Sequence, residues 1–138
     1  MGGAVERIAL DRGHQVVQVI DKDNEGALAL LKPDDLDVVV EFTSPDAAVD
    51  IIRQIVPSGI PIVVGSTGWY DRLPEVAEFV AQHDGSLLYA HNFSVGVNIM
   101  LKVNRELAAL MNHYPQYDVY LEERHHRHKR DTPSGTAT

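Results

Sequence analysis

The chain has 138 residues, 44% of them hydrophobic and 23% charged, with a net charge of −8 and no cysteine. That balance fits a globular protein with a real core and excludes a disordered tail, a disulfide scaffold and thiol catalysis. The acidic excess argues against a general nucleic-acid surface. No apolar run reaches the roughly 20 residues of a membrane span, and the first residues lack the basic-then-apolar layout of a secretory signal, so the expectation is a cytoplasmic protein with neither nucleic acid nor membrane as partner.

Helix-like and strand-like pieces alternate along the first part of the chain, which predicts an α/β layered sheet. Val5 to Arg12 reads as a helix with Gly13 as its C-terminal cap. Residues 15–20 then read as a strand ending at Asp21, and residues 37–42 as a second whose continuous apolar centre predicts cover on both faces. Ser44-Pro45 is a cap and first-turn pair opening a helix through about Val56. Residues 60–64 form the third expected strand, Leu73 to Gln82 the next helix, with Pro74 near its start, and residues 86–90 the last strand of the series. Composition then changes: Val95 to Asn112 is a long amphipathic helix with Val95, Ile99, Val103, Leu107 and Leu110 near one face, and Tyr117 to Glu122 returns as a strand.

Several of the connecting pieces carry chemistry. Gly2 and Gly3 lead into the first helix, and Asp21 follows nearly 20 residues later; in a Rossmann unit that distance separates the glycine turn under a pyrophosphate from the acid on the adenosine ribose. Two glycines alone equally suit a flexible terminus. Asp21-Lys22 could bond ribose hydroxyls and attract a 2′-phosphate, leaving NADH and NADPH both open, or be an exposed turn pair. Phe42-Thr43, Gly65-Ser66-Thr67 and Ala90-His91-Asn92-Phe93 each follow a strand, where open α/β sheets bind ligands. Trp69, just beyond, reads as packing.

The densest chemistry lies between Glu122 and Thr136, where four of the twelve Lys and Arg residues and three His gather on an otherwise acidic chain. Such a local positive pocket suits a small anionic ligand. His125 and Lys129 are four apart, which places them on one side of either an extended or a helical backbone. Imidazole, with an ordinary pKa of about 6.5, suits proton exchange near neutrality. Pro133-Ser134-Gly135-Thr136 reads as a helix start whose N–H groups and hydroxyls converge on an anion. Three alternatives stand beside this: a solvated charged loop, a zinc site built from His125, His126 and His128, and, for Glu122-Glu123, either a general-base or metal-ligand role or buried-strand capping and salt bridging with Arg124.

The same segment, with Glu122, His125, His126, Lys129, Asp131 and Pro133 to Ala137 in order, resembles the signature of the dihydrodipicolinate reductase family. The resemblance extends through Glu41-Phe42-Thr43, the stretch Val64 to Trp69, and Asn92 to Asn98. It implies a Rossmann-like doubly wound parallel sheet over residues 1–93, its first strand missing, followed over residues 94–138 by the start of an α+β substrate and tetramerisation domain. It also implies NADH- or NADPH-dependent reduction of a small dicarboxylate, 4-hydroxy-tetrahydrodipicolinate, on the diaminopimelate and lysine route, by a homotetramer when full length. His125 and Lys129 would be catalytic, with His126, Ser134, Gly135 and Thr136 holding substrate carboxylates. The cofactor would meet Gly2, Asp21, Lys22, Phe42, Thr43, Gly65, Ser66, Thr67, Ala90, His91, Asn92 and Phe93, and no metal is implied. Family chains run longer at both ends, so Met1-Gly2 would be the tail of a glycine loop, and the chain would begin at an internal methionine or be a fragment. An inactive or non-catalytic binding remnant and a metal-dependent hydrolase at the His cluster are the competing functional readings.

Overall fold

Two apolar runs, residues 37–42 and 60–64, organise the fold. In a computed structural model, which describes residues 1–125 and 127, they supply strands β1 (Val39–Glu41) and β2 (Ile62–Val64). Strand β3 (Leu87–Tyr89) completes, among the described residues, a parallel sheet in the order β1-β2-β3. The register pairs Glu41 with Val64 and Val64 with Tyr89, so the three strands end level with one another. Parallel neighbours need crossover helices. Those are α2 (Pro45–Ile55) between β1 and β2, and α3 (Leu73–Gln82) between β2 and β3. The protein is thus an α/β fold, as the alternation predicts.

The described residues divide into two compact units, Met1–Ala90 and His91 onward. In the first, Ala48, Val49, Ile52 and Ile55 of α2 meet Ile62 and Val64 of β2, with Val56, Ile60, Trp69 and Val76 completing a fully buried cluster. Their positions on α2, at offsets of 0, 1, 4 and 7 residues, fall on a single helix face. Ser44 starts that helix: its Oγ accepts the Ala47 N–H at 3.3 Å, and Pro45 occupies the first turn, where a missing N–H costs nothing. Replacing Ser44 by Ala is expected to lower stability by about 1 kcal/mol, with Ser44→Asp restoring it. A denaturant midpoint unchanged by Ser44→Ala would show that the cap carries no weight. Arg53 and Arg72 both reach Glu75, at 3.0 and 2.5 Å, but these groups are nearly half exposed and such pairs contribute little.

Several expectations need correction. Residues 14–21 form no strand among the described residues, and Val17 and Val19 are exposed. Strand identity depends on a neighbour to take the backbone N–H and C=O groups. Here the carbonyl of Val19 accepts instead from the Asn24 side chain at 3.0 Å. Tyr117 to Glu122 likewise forms no strand among the described residues, with Tyr117, Val119, Tyr120 and Leu121 exposed. Among the described residues the β1 run is also not covered on both faces. Val40 pairs with Val63 and Val63 with Leu88 in one row, and Val40 and Leu88 are exposed because α2 and α3 pack on the other side.

The first helix, α1, runs Gly2–Asp11, three residues earlier than expected, and Gly13 follows in the left-handed region at φ +81°. In the second unit, α4 (Val95–Met111) forms where the spacing places it, opened by Ser94, whose Oγ accepts the Val97 N–H at 3.4 Å. Its apolar stripe of Val95, Ile99, Val103, Leu107 and Leu110 is exposed among the described residues. No helix is long and apolar enough to cross a membrane among those residues.

Candidate functional site

Strands that end level deliver their following residues to a common edge. Phe42-Thr43 leave β1 and Gly65-Ser66-Thr67 leave β2 side by side, and with Met1 and Pro45 they line a cleft of about 270 Å³. Five of the residues expected at a cofactor therefore come together. Crevices at the carboxyl ends of parallel strands are where open α/β sheets bind ligands, and three hydroxyl residues with adjacent backbone give this one polar groups for a nucleotide.

Gly65 is required by this packing. A Cβ there would fall 2.0 Å from Phe42 Cε1 and 2.3 Å from Cζ, so the ring lies over the glycine in space no other residue leaves. The backbone joins the strand ends as well, since the Gly65 N–H donates to the Glu41 carbonyl at 2.8 Å. Beneath the loop, Trp69 is buried and its indole Nε1–H donates to the Ser66 carbonyl at 2.9 Å. Its ring meets Tyr70 and Tyr89 at centroid separations of 5.0 and 5.5 Å. Trp69 is a packing residue, as its position suggests. Burial, with Tyr89 adding to it, raises the Tyr70 phenol above its ordinary pKa.

Glu41 is the residue that sequence reasoning left without a role. It ends an apolar strand, and a charged residue there reads as exposed; only its parity with Val39, on the core side of the sheet, signals burial. It is 3% exposed. Its Oε1 accepts from the Thr43 N–H at 2.5 Å, the Thr43 hydroxyl at 2.5 Å and the Ser66 hydroxyl at 2.8 Å.

The remaining expected cofactor residues each have their own surroundings. Gly2 opens α1 next to Met1. Asp21 is exposed, with its carboxylate accepting the Asp23 N–H at 2.9 Å and its own N–H donating to Asn24 Oδ1 at 2.7 Å, so it and Lys22 sit in a tight polar turn. Ala90 follows β3 directly, at the same end as the cleft loops. His91, Asn92 and Phe93 belong to the second unit. There Asn98 Nδ2 donates to the Asn92 and Ser94 carbonyls at 2.9 and 2.8 Å, and the Ser94 N–H donates to Asn92 Oδ1 at 2.8 Å, tying this turn to the start of α4.

In the basic segment, Arg124 pairs with Glu122 at 2.8 Å, as expected of salt bridging. His125 Nε2 lies 2.9 Å from Glu123 Oε2. That carboxylate can hold the ring's orientation and tautomer. His126, Lys129, Ser134, Gly135 and Thr136, and with them His128 of the zinc alternative, fall outside the described residues. Among the described residues no three His, Asp or Glu side chains converge as a metal site would need.

Comparison with known proteins bears on both units. The family described as "Dihydrodipicolinate reductase, N-terminus" matches residues 1–93, and "Dihydrodipicolinate reductase, C-terminus" matches residues 96–138. A 4-hydroxy-tetrahydrodipicolinate reductase from Christiangramia forsetii is 39% identical over 137 residues, covering 99% of this chain and 56% of that protein. One from Methanothermobacter thermautotrophicus is 40% identical over 128 residues, covering 91% of this chain and 45% of the relative. The chain thus spans about half the length of the curated relatives it matches.

Proposed function

This chain belongs to the dihydrodipicolinate reductase family, and from that premise we propose that it serves the NADH- or NADPH-dependent reduction of 4-hydroxy-tetrahydrodipicolinate to tetrahydrodipicolinate, with loss of water, in diaminopimelate and lysine biosynthesis. The observation that carries the reading is the cleft at the level ends of β1 and β2, where Thr43, Gly65, Ser66 and Thr67 offer backbone and hydroxyl groups at the position such folds reserve for a nucleotide. Gly2, Asp21, Lys22, Phe42, Ala90, His91, Asn92 and Phe93 would complete the cofactor contacts. When bound, a reduced nicotinamide supplies the hydride.

What the chain's own side chains must do is hold the substrate and move a proton. His125, its ring oriented by Glu123, is the general acid, and Lys129 is the second donor or the charge that stabilises developing negative density. His126, Ser134, Gly135 and Thr136 take the substrate carboxylates through charge-assisted and backbone hydrogen bonds. Replacing Ser134 or Thr136 by Ala is expected to raise the KM for the dicarboxylate about tenfold while leaving nucleotide affinity in place, since a hydrogen bond to a charged group is worth about 1.5–3 kcal/mol. An unchanged KM in both variants would remove the clamp. A cytoplasmic homotetramer of the full-length protein goes with the same reading.

The test is a fluorescence titration with NADH and NADPH, followed by an absorbance assay of nucleotide oxidation with the dicarboxylate substrate. Saturable nucleotide binding with turnover is expected. Binding without turnover would favour a non-catalytic module, and zinc-dependent hydrolysis without nucleotide binding would favour the His-cluster alternative.

A further inference from the structure

Resting on the reading of the cleft as a nucleotide site, we propose that Glu41 is its positioning residue: it touches no ligand itself but pins Thr43 and Ser66 together across the ends of β1 and β2 and fixes which way their hydroxyls work. Three donors from two different loops converge on one carboxylate oxygen, at 2.5, 2.5 and 2.8 Å. Thr43 and Ser66 both line the cleft. With their hydrogens committed to Glu41, each hydroxyl presents only lone pairs to a ligand. The cleft is thereby set to read ligand donors, the O–H groups of a sugar or the NH₂ of a carboxamide, both of which a nicotinamide nucleotide carries.

Stability alone does not explain this carboxylate. Glu41 is 3% exposed, and its second oxygen, Oε2, is buried with no hydrogen-bond partner among the described residues. A buried carboxylate oxygen left without a hydrogen-bond partner among the described residues costs free energy that the three bonds to Oε1 must offset. Retaining it at the rim of a ligand cleft is consistent with a demand made by the site rather than by the fold.

The sign of the expected effect separates positioning from simple electrostatics. By Coulomb's law alone, removing a negative charge near an anionic nucleotide tightens binding; loss of positioning weakens it. Glu41→Leu is expected to raise the Kd for NADH or NADPH about 10- to 100-fold, the scale on which small misplacements act, and to lower the thermal midpoint, since the buried Ser66 hydroxyl loses its acceptor. Amide exchange at Thr43 should quicken in the same variant. Glu41→Gln, which keeps one oxygen for the same three donors and so guards against a Leu variant that fails to fold, should fall between, with Kd raised about threefold because a neutral acceptor is weaker. Glu41→Leu binding equal to or tighter than wild type, or Thr43 exchange unchanged, overturns the proposal; so does a Glu41→Gln Kd at or below wild type. Wild-type protein that binds neither nucleotide is a separate result, the failure of the cofactor reading itself.

Discussion

Turnover by a His125→Gln variant is expected to fall by about 10²–10⁴-fold, the worth of a positioned proton donor, while the Kd for reduced nicotinamide nucleotide stays near that of wild type. The expectation follows from where His125 sits. It lies in the second unit, and its ring contacts Glu123 at 2.9 Å. Glutamine can still bond Glu123, so the segment keeps its local geometry while losing a group that exchanges protons near neutrality. Single-turnover kinetics together with nucleotide titration make the measurement. Should nucleotide affinity fall by the same factor as turnover, His125 would be a binding group and its assignment as the acid wrong.

Substitution at Gly65 should act on the other half of the site. In Gly65→Ala the new Cβ would stand 2.0 Å from Phe42 Cε1 and 2.6 Å from Cδ1, so the ring must swing away. Both residues line the cleft. The expected result is a stability loss of about 1–3 kcal/mol, the usual cost of overpacking, and nucleotide affinity at least about tenfold weaker from the misplaced wall. Adding Phe42→Ala removes the obstacle. The double variant should therefore be more stable than the sum of the two single changes implies, a coupling that denaturant titration of all four proteins measures. Strictly additive losses would mean that the ring and the glycine do not compete for the same space.

Much of the fold was legible because local signals and tertiary packing agree. Ser44-Pro45 and Pro74 mark helix starts that packing keeps, and the apolar spacing of Ala48, Val49, Ile52 and Ile55 is the face that meets β2. Residues 15–20 and 117–122 carry the composition of strands just as clearly, yet they pair with nothing among the described residues, because composition supplies a willingness to pair and not the neighbour. The cleft was legible for a topological reason: loops after parallel strands gather at one edge, so naming the strands named Phe42, Thr43, Gly65, Ser66 and Thr67. Glu41 escaped because burial of a carboxylate is decided by which side of the sheet it faces and by donors 2 and 25 residues away.

One oxygen atom shared between two loops also limits how this cleft can change. A residue at 43 without a side-chain donor leaves the carboxylate that residue's backbone N–H and the hydroxyl at 66, and one at 66 without a donor leaves only the two bonds from 43, so a change at either position loosens the hold on a buried charge. Redesign of the cleft for a different ligand would succeed more readily by exchanging 41, 43 and 66 as a set than by taking them one at a time.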